Sequence, residues 1–293
     1  MDLTIYPKKL SGITATDLNS GAEIMNASLS YKYPASAGNQ VIMLSKVNVS
    51  GLGEYLMEYY KEDSSFPDIG SYAIDHWGYY NSSDATDAYD MLPDINLDPN
   101  YIEKIMSDNR NPDPTKSMTG MLKSIRYPTG GYTKYKYEAH DYSKIVVRNS
   151  LTRGRFRLND LTSSAVAGGL RLKEIVDSAA TGALSRRLFE YVSDDDKSSG
   201  IMMDFPRYCM CCIKDTVING TQSYEYKNTM SSSCPGYLLD NTYIGYSSVR
   251  EIYGDGSSKV TRFTSWEEFP DVLDDNDPIP AGIGLSKIYI IDF

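Results

Sequence analysis

The segment Gly120 to Glu138, GMLKSIRYPTGGYTKYKYE, constrains the fold more than any other, because it specifies a complete β-hairpin. Pro128 fixes φ near the value a turn needs, and Gly130 and Gly131 supply the positive φ that other residues resist. Strands therefore flank Pro128-Thr129-Gly130-Gly131. Period-2 alternation places Met121, Ile125 and Tyr127 on one face of the first strand and Thr133, Tyr135 and Tyr137 on one face of the second. A three-residue loop of Thr129, Gly130 and Gly131, ending in a left-handed glycine and a bulge, brings the two sets together; an even loop would set Ile125 opposite Lys134. The reverse face carries Ser124, Arg126, Lys134 and Lys136, which suits water, an acidic neighbour or a polar layer. Lys123 is the misfit on the apolar face.

The same grammar returns three times: a short β-rich run, a glycine-containing turn and a run closing on aromatics. Val41 to Tyr60 has Gly51 and Gly53 at its turn and closes on Tyr59-Tyr60. Gly168 to Ser193 has a longer loop around Ser178 to Gly182 and closes on Phe189-Glu190-Tyr191. Ile244 to Trp266 turns at Gly254-Asp255-Gly256, after which Val260, Arg262 and Thr264 alternate with Thr261, Phe263 and Ser265. The copies lie roughly 45 to 80 residues apart, so they form a family of hairpins with insertions and not a strict solenoid.

Leu122 to Glu138 resembles the YD repeat of RHS-type proteins, whose units run as a short strand, a Pro-x-Gly-Gly or Asp-x-Gly turn, and a Thr/Tyr-rich strand ending in Tyr-Asp. Here the ending is Tyr137-Glu138. Asp75-His76-Trp77-Gly78-Tyr79-Tyr80-Asn81 precedes Gly120-Met121-Leu122, Tyr127-Pro128-Thr129-Gly130-Gly131-Tyr132 and Gly168-Gly169-Leu170-Arg171. That order is similar to the region before the repeats in large RHS-like surface proteins of Bacteroidetes-type bacteria. The resemblance covers about Val41 to Asp271. It implies a longer parent chain, an extracellular or cell-surface location, and repeats that wind into a β-rich shell.

Tyrosine is the compositional outlier, with 25 residues against 7 Phe and 2 Trp. Tyrosine suits half-buried pleated surfaces, where the ring packs and the hydroxyl stays wet. A hydrophobic fraction of 41% describes a globular chain. The formal net charge of -10 disfavours nucleic acid and anionic membrane surfaces as partners. No apolar run approaches the roughly 18 residues that span a bilayer. MDLTIYPKKL has no signal-peptide core, so any export signal belongs to a longer precursor or does not exist, and the chain is expected to be a fragment.

Residues 1–40 are expected to hold one or two leading strands, with Leu29, Tyr31 and Tyr33 alternating. Residues 62–114 form the largest insertion, rich in Pro, Asp and Asn, with a helix expected over Asp98 to Asp108: Asp98 caps, Pro99 takes the first position, and Ile102, Ile105 and Met106 line one face. Ser193 to Gly200 and Asp271 to Pro280 are acidic loops. Ile283 to Phe293 alternates around Leu285, Ile288 and Ile290 and is expected to be a strand without a hairpin partner.

Asp75-His76-Trp77 is the most catalytic-looking cluster, since a carboxylate beside histidine suggests a general base. Adjacent residues of a strand point to opposite faces, so a packed structural corner is preferred. His140, the other histidine, lies just past the hairpin, where capping or turn chemistry is expected. Cys209, Cys211, Cys212 and Cys234 have the wrong spacing for a zinc cage. On a strand Cys209 and Cys211 share one face and Cys212 takes the other, which leaves two alternatives, one disulfide with Cys234 or buried free thiols. Asp194-Asp195-Asp196 and Asp274-Asp275-Asn276-Asp277 lack the calcium-loop pattern and read as solvated loops. Gly130-Gly131, Gly168-Gly169 and Gly254-x-Gly256 read as turns without a nucleotide fingerprint, and no G-x-S-x-G or H-E-x-x-H motif indicates a hydrolase.

The sequence therefore predicts an all-β chain in a single β-rich unit, 1–293, of antiparallel hairpins forming a curved, layered sheet with one short helix in the insertion. The hairpins are 41–60, 120–138, 168–193 and 244–266. The expected role is non-enzymatic and structural, with no catalytic, cofactor or metal residues, and with the remainder of a longer parent chain as partner. The alternative is a carbohydrate-binding surface protein that offers exposed tyrosines to a glycan or protein ligand.

Overall fold

Turn glycines and strand-forming runs lay the chain down as successive hairpins. The computed structural model describes residues 8–34, 41–62, 66–68, 70–86, 94–95, 104–105, 110–148, 156–203, 208–218, 221–230, 243–270 and 288–291. Its strands are β1 (Gly12–Thr16), β2 (Glu23–Lys32), β3 (Met43–Val49), β4 (Gly53–Tyr59), β5 (Asp94–Ile95) and β6 (Lys104–Ile105), followed by helix α1 (Pro114–Ser117). Then come β7 (Leu122–Arg126), β8 (Tyr132–Arg148), β9 (Phe156–Ser178), β10 (Leu184–Glu190), β11 (Gly200–Met202), β12 (Tyr208–Ile218), β13 (Thr221–Met230), β14 (Ile244–Tyr246), β15 (Ser248–Tyr253), β16 (Ser258–Arg262) and β17 (Ile288–Ile291). The fold is all-β, as expected. An open, curved antiparallel sheet runs β1-β2-β3-β4-β7-β8-β9-β10-β15-β16, and β11 pairs with β8 and β14 beside it. β13-β12-β17 form a second sheet and β5-β6 a third.

All four segments with the hairpin grammar fold as antiparallel hairpins: β3-β4, β7-β8, β9-β10 and β15-β16. The β7-β8 loop has the expected length and parity but sits one residue earlier. Ile125 faces Thr133, Gly130 N–H donates to Tyr127 O (2.9 Å), and Tyr127 N–H donates to Gly131 O (2.9 Å). The loop is therefore Pro128-Thr129-Gly130, and Gly130 takes the left-handed conformation at φ 86°. The longer loop expected around Ser178 to Gly182 is instead the same device, Ala180-Thr181-Gly182, closed by the equivalent bonds between Ala179, Gly182 and Ala183. Gly254-Asp255-Gly256 repeats it a third time.

Four hairpins share one sequence pattern on their first arm: Leu10-Ser11-Gly12-Ile13, Leu44-Ser45-Lys46-Val47, Leu122-Lys123-Ser124-Ile125 and Leu172-Lys173-Glu174-Ile175. Each opening leucine's carbonyl accepts the hydroxyl of the tyrosine that closes its own hairpin: Tyr31 on Leu10 (2.7 Å), Tyr59 on Leu44 (2.7 Å), Tyr137 on Leu122 (2.9 Å) and Tyr191 on Leu172 (2.7 Å). The same tyrosines face the opening leucine of the next hairpin, in the pairs Tyr31 with Leu44, Tyr59 with Leu122, and Tyr137 with Leu172. A ladder of alternating leucine and tyrosine thus crosses the sheet at right angles to its strands. At each crossing one residue is extra, Ser45, Lys123 or Lys173, because the register shifts there. This bulge resolves the misfit of Lys123: the extra residue turns into solvent.

The sheet's polar face is built from charge pairs. Glu174 is buried there beneath Lys136 (2.6 Å) and Arg186, and Ser124 donates to Glu58 (3.0 Å). The apolar core lies farther along β8 and β9, where Tyr142, Ala167, Met202 and Ile244 are buried and Trp77, Tyr243 and Tyr246 pack against them.

Other expectations are corrected. Of the candidate helix over Asp98 to Asp108, the described residues Lys104–Ile105 pair as a strand with Asp94–Ile95. The helix is α1, where Asp113 caps the N–H groups of Thr115 and Lys116 and Pro114 takes the first position. The strand expected near the end of the sequence is found at Ile288 to Ile291, and it pairs with the distant Cys211 to Tyr208 of β12 and not with a hairpin neighbour.

Candidate functional site

The segment around Asp75 folds as a corner, because Asp75 satisfies its own loop. Asp75 N–H donates to Tyr79 O (2.7 Å), and its Oδ1 accepts from the N–H groups of Trp77 and Tyr79 (2.9 Å each). Arg110 arrives from the insertion and donates to the Asp75 carbonyl (2.5 Å), while His76 N–H donates to Arg110 O (3.2 Å). Asp75 is 0% and Arg110 2% exposed. Burial pushes the Asp75 carboxyl up to about 6, against the pull of the Tyr79 and Trp77 N–H groups and the Arg110 charge. Burial, reinforced by Arg110, lowers His76 to about 4, so its ring is neutral near pH 7. Oδ1 of the carboxylate beside histidine is thus spent on main-chain donors, which is the packed-corner arrangement, while Oδ2 is buried against Gly168 without a hydrogen-bond partner among the described residues.

This corner seats on Gly168 and Gly169. The pair is a two-residue bulge inside β9, between the pairs Ala139 with Leu170 and His140 with Ala167, and not the turn expected from sequence. A Cβ on Gly168 would lie 2.5 Å from Asp75 Oδ2 and 2.9 Å from Trp77 Cβ. Gly169, at φ 78°, packs against the rings of Tyr79 and Tyr243, and Tyr243 donates to the Gly168 carbonyl (2.5 Å).

Two residues on, Arg171 ties β8, β9 and β14 together. Its guanidinium donates to Glu138 (2.9 Å), Asp141 (2.6 Å) and the Tyr246 hydroxyl (2.9 Å), and it stacks on the rings of Tyr191 (4.2 Å) and Tyr246 (5.1 Å). Burial opposes this charge but is outweighed by Asp141 and Tyr246, which hold Arg171 above the usual arginine range. Asp141 also accepts from the Ser198 hydroxyl (2.5 Å). His140 lies in mid-strand and not in a turn: it stacks on Tyr246 (5.9 Å between centroids), and its Nδ1 is 2.8 Å from the Tyr246 hydroxyl. Burial, then the Arg171 charge, lowers it to about 4.

Chemically, this constellation is a fastening. Its carboxylates neutralise an arginine, its hydroxyls bind main chain or arginine, and its histidine is neutral and stacked. Sequence reasoning missed Arg171, Arg110, Tyr246 and Tyr191. The available signal was Gly168-Gly169 inside a strand pattern, which marks a close approach of backbone.

Among the described residues, no group of three or more His, Cys, Asp or Glu side chains converges to hold a metal ion. Cys209, Cys211 and Cys212 lie on β12 with a bulge after Cys212; Cys234 and Asp274 to Asp277 lie outside the described residues. Asp194, Asp195 and Asp196 occupy a turn in which Ser193 N–H donates to Lys197 O (2.9 Å). Asp194 faces Arg262 (3.3 Å) across a groove of ≈ 520 Å³ that Val192, Arg250 and Val260 also line. No helix among the described residues is long and apolar enough to cross a membrane, which says nothing of β-barrels.

Compared with known proteins, the chain matches no family model and no curated protein.

Proposed function

We propose that the chain is a non-enzymatic structural module, a wall-forming segment of a large RHS-like surface or secreted protein. The observation that carries this reading is the leucine–tyrosine ladder, which fastens four successive hairpins with one repeated bond. A repeated joint of that kind serves extension of a sheet. Two further features support the reading: the most reactive-looking residues, Asp75 and His76, are buried in a packed corner, and Arg171 locks the longest strands. The RHS resemblance supplies the parent chain and the extracellular setting.

An antibody raised against the chain tests this in cells that carry its gene. The expected result is a polypeptide far larger than 32.8 kDa that protease removes from intact cells. A 32.8 kDa product shielded from protease in intact cells would overturn it. The carbohydrate-binding alternative needs free, coplanar rings. The hydroxyls of Tyr31, Tyr59, Tyr60, Tyr137, Tyr191 and Tyr243 are instead committed to carbonyls. A saturable glycan-array signal lost on Tyr33→Ala or Tyr72→Ala would favour that alternative.

A further inference from the structure

Among the described residues, the two outer strands of the large sheet carry the unmatched halves of its internal joint. Between neighbouring hairpins, a closing strand meets an opening strand in a constant way. Ser30 faces Lys46 and then Tyr31 faces Leu44; Glu58 faces Ser124 and then Tyr59 faces Leu122; Lys136 faces Glu174 and then Tyr137 faces Leu172. At the leading edge Leu10 occupies the leucine position with no tyrosine opposite it among the described residues, and it is 54% exposed. At the trailing edge Ser248 faces Arg262, so the next residue, Phe263, occupies the closing-tyrosine position; it is 50% exposed.

The main-chain groups of the two edges also match. Phe263 N–H donates inward to Ser247 O (2.9 Å), so the alternation of an antiparallel strand turns the N–H groups of Val260 and Arg262 outward. Leu29 N–H donates to Ser11 O (2.9 Å), so Gly12 and Thr14 present their groups outward from β1. The sheet path alternates direction over an even number of strands, which makes β1 of one molecule antiparallel to β16 of another. Both strands are five residues long and expose an apolar side chain, Ile13 and Val260, beside the outward N–H and C=O groups that make an edge strand a template for pairing.

We propose that the trailing edge of one molecule adds to the leading edge of a second copy. Arg262 lies opposite Gly12, Val260 opposite Thr14, and Phe263 against Leu10, in the register of the three internal joints. The contact is heterologous, so it builds a ring or an open filament. This inference deepens the wall reading by naming a partner, and it stands or falls separately from the parent-chain experiment.

The test replaces Phe263 with photoreactive p-benzoylphenylalanine, irradiates the full chain over a concentration series, and maps adducts by mass spectrometry alongside sedimentation velocity. The expected result is an intermolecular adduct at Leu10 or Ser11 and a mass that rises with concentration. Val260→Pro removes an outward N–H without breaking a bond to β15, so it is expected to weaken association by about tenfold or more. Phe263→Asp, at an exposed position, is the second variant should the proline disturb folding, and the same weakening is expected. A single 32.8 kDa species at every concentration, adducts away from β1, or association unchanged in both variants would overturn the proposal.

Discussion

The hydroxyl of Tyr137 donates to the carbonyl oxygen of Leu122 at 2.9 Å, joining the far ends of the β7-β8 hairpin. The bond leaves the strand ladder and reaches a carbonyl beside the bulge at Lys123, where the regular pairing is interrupted. Removing the hydroxyl alone, as Tyr137→Phe, is expected to cost about 1 kcal/mol, because the carbonyl loses its side-chain partner while the ring still packs. Tyr137→Ala is expected to cost about 3 kcal/mol or more. Urea titration of both variants checks the order, and equal losses would show that the hydroxyl bond contributes nothing.

Gly168 and Gly182 separate steric need from backbone need. Gly168→Ala drives a Cβ into Asp75 and Trp77, and a loss of about 2 to 3 kcal/mol is expected. Gly182, at φ 85°, has nothing within 4 Å of a built Cβ, so alanine there meets backbone strain alone, about 1 kcal/mol. Thermal denaturation of the pair should rank Gly168→Ala as the more damaging.

Arg171→Met keeps the stem and removes the charge that Glu138 and Asp141 share. The expected loss is about 2 to 4 kcal/mol, below that of a fully buried pair because both carboxylates keep some water. Arg171→Lys should recover part of it, since an ammonium replaces the charge but not the fork over Tyr191 and Tyr246. Stability near that of the native chain in Arg171→Met would refute the role as a tie.

Acid should charge the two neutral histidines. His76 and His140 titrate near 4 when folded and near 6.5 when unfolded, so the unfolded chain takes protons first and stability falls as pH drops from about 6.5 to about 4. Asp75 acts with the opposite sign: its carboxyl is raised to about 6, so the folded chain takes that proton first and gains stability as pH falls from about 6 to about 4. Two histidines outweigh one aspartate, leaving a net loss of about 1.4 kcal/mol per pH unit across the shared window. His140→Asn should flatten that slope toward zero in a pH series of denaturation curves.

The hairpins were legible because their information is local. Proline and glycine at the β7-β8 turn and alternating side chains on either side determine a loop and its parity. The one-residue offset of that loop was hidden because Gly130 and Gly131 are equally able to adopt positive φ, and what separates them is tertiary: a Cβ on Gly131 would strike the Ser178 carbonyl. The leading hairpin β1-β2 carried its signal in Leu10-Ser11-Gly12-Ile13, which becomes readable only when the opening leucines are aligned. The β12-β13 hairpin went unread, although Asn219-Gly220, a strong turn dipeptide, stands between Ile218 and Thr221 in the sequence. The Arg171 constellation was legible only at its bulge, which Gly168-Gly169 inside a strand pattern marks; its partners Glu138, Asp141, Tyr191 and Tyr246 lie on separate segments that no local pattern brings together. The helix was displaced from Asp98 to Asp113 for a simpler reason: both sites offer Asp-Pro, and capping chemistry alone does not choose between them.

The three-residue loops have a consequence for how such a chain lengthens. The β7-β8 hairpin closes itself with Tyr137 and offers its neighbour the same ring, so duplicating a stretch such as Leu122 to Tyr137 inserts two strands without asking the surrounding residues to change. Every such insertion widens the sheet by about 10 Å, twice the spacing between strands. Width is then a matter of copy number, and a genome can adjust it by counting.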